Sequence, residues 1–236
     1  MGVLVPPAPP HRPSPERGPP FPDLMADARD WCAGRSWIWR APLVLYFAWS
    51  GWRRLRDPLA TDLFGGITLG VHELGHLVLA WAGRWPSIAG GSLAQVAAPI
   101  AAGWMLARQR DWFGITVSAA WLASSLFNLA AYVGDARMME LPLVGLFPDP
   151  IHDWNWMLSR LGILSWDRGL AAGTRVASFV LWAAAVVSGA WLCREMAAAR
   201  GSGGGQAPAA GRGGEGRGRS GIRSSPSSGS NPPASP

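Results

Sequence analysis

The segment Leu63-Phe64-Gly65-Gly66-Ile67-Thr68-Leu69-Gly70-Val71-His72-Glu73-Leu74-Gly75-His76-Leu77-Val78-Leu79-Ala80-Trp81 is apolar enough to enter a bilayer, yet two histidines and a glutamate interrupt it. Ionisable groups at such depth cost a few kcal/mol each, so they persist when paired, metal-bound or functional. Residues four apart share a helix face. His72 and His76 can therefore bind one zinc ion, while Glu73, one position on, reaches a water beside it. Zinc would bring that water's pKa towards ~7, and Glu73 would take its proton. Two histidines hydrogen-bonded between helices are the plainer alternative. Gly75 removes a side chain between the two imidazoles, and Gly66 and Gly70 extend a small-residue face suited to helix packing.

Outward from this segment the apolar residues continue in long runs. Four approach the ~20 residues that cross a bilayer, namely 63–83, 88–107, 112–134 and 170–193, each bounded by charged residues or proline. A fifth, 37–52, is shorter and holds Arg40, so it reads as a Trp-rich interfacial helix or as an extra, tilted span. The expected fold is all-α, a polytopic membrane helix bundle of four transmembrane spans, or five with 37–52. Its expected layout is a Pro-rich disordered start over 1–36, a membrane domain over 37–193 and a Gly/Ser/Arg-rich disordered tail over 194–236. The mean hydropathy of only +0.11 reflects those polar ends. No internal repeat is evident, so a transporter built of inverted halves has no support.

The loop charges suit four crossings. Arg53, Arg54 and Arg56 precede the first run, Arg108 and Arg110 follow the second, and Arg194 follows the fourth. All of these then share one face, and the other receives Arg84 and the acidic segment 135–169. By the positive-inside rule both termini are cytoplasmic, in what reads as an integral protein of a bacterial plasma membrane. Trp52, Trp81, Trp85, Trp112 and Trp191 fall near the expected interfaces, whereas Trp104, Trp121 and Trp182 lie deeper, as packing residues.

All 21 basic residues are Arg, and the formal net charge is +6. Nucleic-acid binding is nevertheless not expected, because much of the excess lies beyond Arg194 in sequence lacking aromatic residues on which bases could stack. Cys32 and Cys193 show neither metal-site nor disulfide spacing. Pro and charged residues fill the first thirty positions in place of a cleavable leader, which leaves insertion to the internal runs.

Three features together carry a family resemblance: His72-Glu73-Leu74-Gly75-His76 in an early span, Gly90-Gly91-Ser92-Leu93-Ala94-Gln95 in the next, and the Asn128-to-Asp135 interval closing the third. Over about residues 60–140 the chain resembles the site-2 protease family of intramembrane zinc metalloproteases, in its divergent bacterial-type members. The resemblance implies Zn2+ as cofactor, His72 and His76 as ligands, Glu73 as general base and an Asp of the third core span, here Asp135, as the last protein ligand. It also implies hydrolysis of a peptide bond in a membrane-embedded or membrane-adjacent substrate. The family's third-span motif sets Asn and Pro ahead of Leu-Asp-Gly. Here the stretch reads Asn128-Leu129-Ala130-Ala131-Tyr132-Val133-Gly134-Asp135-Ala136-Arg137, without that Pro or the final Gly.

Asp135 has a rival reading as the ion-pair partner of Arg137. Depth raises a further difficulty, since at ~1.5 Å per residue His76 lies ~12 Å below Arg84, while a straight third span brings Asp135 to the surface. Either that span ends deeper, with 138–147 dipping back around Pro142, or another group completes the site. His152 and Asp153 stand in reserve as a lid, a ligand pair or an outer partner of an imidazole, against the bland reading of a surface-loop histidine. Gln95 and Asn128 read as contacts to substrate or as polar glue between helices. The expected partners are the lipid bilayer and a membrane-protein substrate. Two rival function classes are a membrane metal transporter and a non-catalytic membrane scaffold with a degenerate metal site.

Overall fold

The computed structural model describes residues 23–143 and 151–203, and every regular element among them is helical. In chain order these are α1 (Leu24–Cys32), α2 (Ala41–Arg56), α3 (Gly65–Leu79), α4 (Arg84–Arg108), α5 (Trp112–Gly134), α6 (Asp153–Arg160) and α7 (Asp167–Gly203), with 3-10 turns at Ala80–Ala82 and Leu164–Trp166. The fold is an all-α bundle. Helix α3 packs on α4, α4 on α5 and α5 along α7, while α2 lies against α7 and α6 bridges α4 and α5.

Three helices, α4, α5 and α7, are long and apolar enough to cross a membrane. This points to membrane association. Large apolar side chains that face outward, among them Leu93 and Ile100 on α4 and Val176, Val180 and Val187 on α7, are the surface such helices present to lipid.

The stretch expected as the first span is the exception. Helix α3 has only 15 residues, ~22 Å against a hydrocarbon core of ~30 Å. Its start is set late because the Asp62 carboxylate accepts the Phe64 N–H at 2.9 Å and the Tyr46 hydroxyl accepts the Leu63 N–H at 2.8 Å. Its end tightens into the 3-10 turn and breaks at Gly83, whose φ of 104° suits glycine. That break turns the chain directly into α4.

Other boundaries also differ from expectation. The second run begins earlier, at Arg84, because Pro86 falls in the first helical turn, where its missing N–H costs nothing. Arg40 stands before α2 and does not interrupt it, so this helix runs over 41–56. Helix α7 continues ten residues past Cys193, into the stretch expected to be a disordered tail. Its extension is covered by α1, which lies in the expected disordered start: Ala28 and Cys32 bury against Leu192 and Met196, and Arg29 meets Glu195 at 3.6 Å. Residues 1–22 and 204–236 lie outside the described residues.

Two internal contacts matter for the site. At the α3–α4 crossing, a Cβ on Gly75 would stand 2.2 Å from the Gly90 carbonyl oxygen, and one on Gly90 2.4 Å from that of Gly75. The two backbones touch there. Gly66 and Gly70 face open space, so the small-residue face is confined to Gly75. The second contact is Arg54, counted above among loop charges but 4% exposed, with Asp62 at 3.1 Å and the Asn128 Oδ1 at 3.0 Å. Of the deeper tryptophans, Trp121 donates to Thr68 and Trp182 to the Phe47 carbonyl, but Trp104 is 61% exposed and points away from the bundle.

Candidate metal centre

Helix α3 turns His72 and His76 towards α4, which receives each ring through a backbone or amide oxygen. The His72 Nδ1 lies 2.9 Å from Gln95 Oε1, and the His76 Nδ1 lies 2.8 Å from the Ser87 carbonyl oxygen. A carbonyl oxygen only accepts, so each Nδ1 carries a proton, and a ring that is neutral then keeps its lone pair on Nε2. The Ser87 hydroxyl in turn donates to the His76 carbonyl at 3.2 Å. The rings stand edge to face, centroids 4.7 Å apart.

The carboxylate that meets both rings belongs to Asp153, at the first position of α6. Its Oδ2 lies 3.2 Å from His72 Nε2 and 3.3 Å from His76 Nε2. Four contacts hold α6 in this place. The His152 Nδ1 caps the helix by accepting the Asn155 N–H at 3.2 Å, and the Tyr132 hydroxyl accepts the Asp153 N–H at 2.9 Å. Trp154 Nε1 donates to Ser92 Oγ at 3.0 Å, and Asn155 Nδ2 donates to the Ala136 carbonyl at 2.7 Å.

Two lone pairs aimed at a carboxylate repel it unless a cation stands between them. A proton can serve: burial by itself raises the Asp153 carboxyl, but hydrogen bonds from His72 and His76 outweigh it and hold the group below its ordinary value. A metal ion serves as well. Bonds of ~2.0–2.1 Å to nitrogen and oxygen span a tetrahedral edge of ~3.3–3.4 Å, close to the 3.2 and 3.3 Å between these donors. The Glu73 carboxylate also belongs to the group, its ligand atom lying within 4.8 Å of those of His72 and His76.

Space is reserved at the same point. A Cβ on Gly91 would lie 2.5 Å from His76 Nε2 and 2.6 Å from His72 Nε2, so the missing side chain leaves a cradle facing both nitrogens. A cavity of about 240 Å³ opens beside the donors, lined by His72, Glu73, Gln95, Asn128, Tyr132 and Leu141 among others. Leu141 also borders a wider cavity of about 690 Å³ between α5 and α7.

Asp135, the carboxylate expected on the third span, is not the one that touches the imidazoles. It follows the end of α5 and accepts the N–H groups of Glu140 and Leu141, both at 3.0 Å, while His152 Nε2 stands 3.4 Å away. Its expected rival partner is also engaged elsewhere, since Arg137 bonds Asp167 at 2.8 Å. Burial pushes the His152 imidazole below its ordinary value, with Asp135 opposing. Asp153, held in reserve above, is the carboxylate that reaches both imidazoles, and α5 ends at Gly134 as expected. The expected dip over 138–147 lies outside the described residues beyond Leu143. Gln95 orients a histidine, and Asn128 gives its carbonyl oxygen to Arg54. Gly91, Ser87 and Tyr132 had no individual signal in the sequence, although Gly91 lies in the quoted Gly-rich stretch and Tyr132 between Asn128 and Asp135.

In zinc competition titrations, Asp153→Asn is expected to weaken binding by more than the ~10–100-fold that loss of an outer partner costs, with Asp135→Asn staying within about tenfold. The reverse order would return the ligand role to Asp135. Gly91→Ala should lose at least about tenfold in the same titration by filling the cradle, with helicity by circular dichroism unchanged. No protein-family model, curated protein or solved structure matches this chain, so the reading of the site rests on its own geometry.

Proposed function

We propose that the chain is a zinc-dependent metallopeptidase held in a membrane, which hydrolyses a peptide bond of a membrane-embedded or membrane-adjacent substrate. The observation that carries this reading is the convergence of two imidazole Nε2 atoms and the Asp153 carboxylate at one point, beside Glu73 and a cavity. His72, His76 and Asp153 would hold the ion. Zinc so held supplies a Lewis acid that makes water nucleophilic near neutral pH.

The remaining work falls to the chain. Gln95 and the Ser87 carbonyl fix the two rings, which keeps their donor atoms pointed inward. The Glu73 carboxylate takes the proton of the attacking water and returns it to the amine nitrogen that leaves.

On this reading the protein is integral to a bacterial plasma membrane, α3 is embedded with α4, α5 and α7, and both ends of the chain are cytoplasmic. The outward-facing Leu69, Leu74, Leu77 and Val78 of α3 support its embedding. Cysteines placed at positions 23 and 203 should both react with a membrane-impermeant maleimide only after the cells are opened; labelling of just one in intact cells overturns the four-crossing arrangement.

Purified protein is expected to carry about one zinc per chain, lost in His72→Ala and His76→Ala. Glu73→Gln should keep the metal and lose cleavage of a fluorogenic single-span peptide by at least ~10²-fold. A metal-free wild-type protein, or full cleavage by the Glu73 variant, overturns the proposal.

A further inference from the structure

We infer that Tyr132 is a further catalytic residue, its phenolic O–H donated to the carbonyl oxygen of the peptide under attack. The inference rests on the peptidase reading and deepens it. Peptide hydrolysis places negative charge on that oxygen in the transition state, and a donor fixed there in advance is worth more than one recruited from water.

Among the lining side chains, Gln95 and Asn128 accept through their carbonyl oxygens, from His72 and from Arg54, which ties the two amides to α3 and α2. Tyr132 is tied instead to the helix turn that carries Asp153. Its oxygen accepts the Asp153 N–H at 2.9 Å, while its own hydrogen has no acceptor among the described residues. Accepting one hydrogen bond polarises a hydroxyl into a better donor. The ring is also fixed, stacked on His152 with centroids 4.4 Å apart and edge-on to His72 at 6.2 Å. Tyr132 therefore stands at the cavity wall, bonded to the residue that faces both imidazoles.

The step balances without a further reagent. The water oxygen bonds to the carbonyl carbon as its proton passes to Glu73, and the C=O π pair moves onto the carbonyl oxygen, where the Tyr132 O–H donates. As that pair returns, the C–N bond breaks and the nitrogen takes the proton from Glu73. Tyr132 donates throughout and keeps its proton.

Tyr132→Phe keeps the ring on His152 and removes the donor. With the full-length zinc-loaded protein and a fluorogenic single-span peptide, kcat is expected to fall ~10²–10³-fold with KM within about twofold. Zinc stoichiometry and affinity should stay as in the wild type. A single-span peptide carrying a phosphinic group at the scissile position should bind the variant more weakly by a similar factor, and an uncleavable peptide with a planar amide equally well. Unchanged kcat and phosphinic-peptide affinity overturn the inference. So does loss of zinc in the variant, which would make Tyr132 a support for Asp153 alone. A zinc-loaded wild type that neither cleaves the peptide nor binds its phosphinic analogue overturns the peptidase reading itself, whereas the Tyr132 outcomes leave that reading standing.

Discussion

The backbone contact between Gly75 and Gly90 sets the spacing on which the rest of the centre depends. Two helices carrying larger side chains at the crossing would be held apart by their packing, typically with axes 8–10 Å from one another. Here the carbonyl of each glycine lies where the other's side chain would stand, and this draws α4 onto the histidine face of α3. The same approach brings the Ser87 carbonyl and the Gln95 amide within hydrogen-bond reach of the rings. Gly91, the next residue along α4, then fronts both Nε2 atoms. One close approach thus satisfies the buried ring N–H groups, fixes the tautomers and keeps open the space between the donors.

The opposite side of the centre is built by a different device. Helix α6 has only eight residues, too short to be stable by itself, so its place is dictated by bonds at its first turn. His152 caps it, Tyr132 and Asn155 tie it to the end of α5, and Trp154 ties it to α4. Asp135 contributes from behind, facing His152 and holding the N–H groups of Glu140 and Leu141. The two carboxylates divide the labour. Asp153 faces the imidazoles, and Asp135 shapes the wall that Leu141 forms between the two cavities.

Much of this was legible in the residues. The limits of α5 follow from its apolar run, and the helical spacing of His72, Glu73 and His76 put all three in one group. Asp153 was legible only as a reserve, because a carboxylate in a loop gives no periodic signal and its approach depends on α6 docking against α4 and α5. Arg54 misled for a related reason: charge counting treats an arginine between apolar runs as a loop residue, whereas tertiary contacts with Asp62 and Asn128 draw it inside. The extent of α7 was missed because α1, which packs on Leu192 and Met196, is only nine residues long and broken by Asp27, Arg29 and Asp30, too short a pattern to stand out among polar neighbours. Each miss concerns a long-range partner, which local pattern does not encode.

Because Asp153 follows α4 and α5 in the chain, the group of His72, His76 and Asp153 cannot come together until both of those helices have been made. His72 and His76 leave the ribosome with Glu73 beside them, but the carboxylate that faces both rings arrives only after two more long helices. Until then the two imidazoles have no α6 against them. Order of synthesis alone therefore places the meeting of the carboxylate with the rings after α4 and α5 exist to hold it.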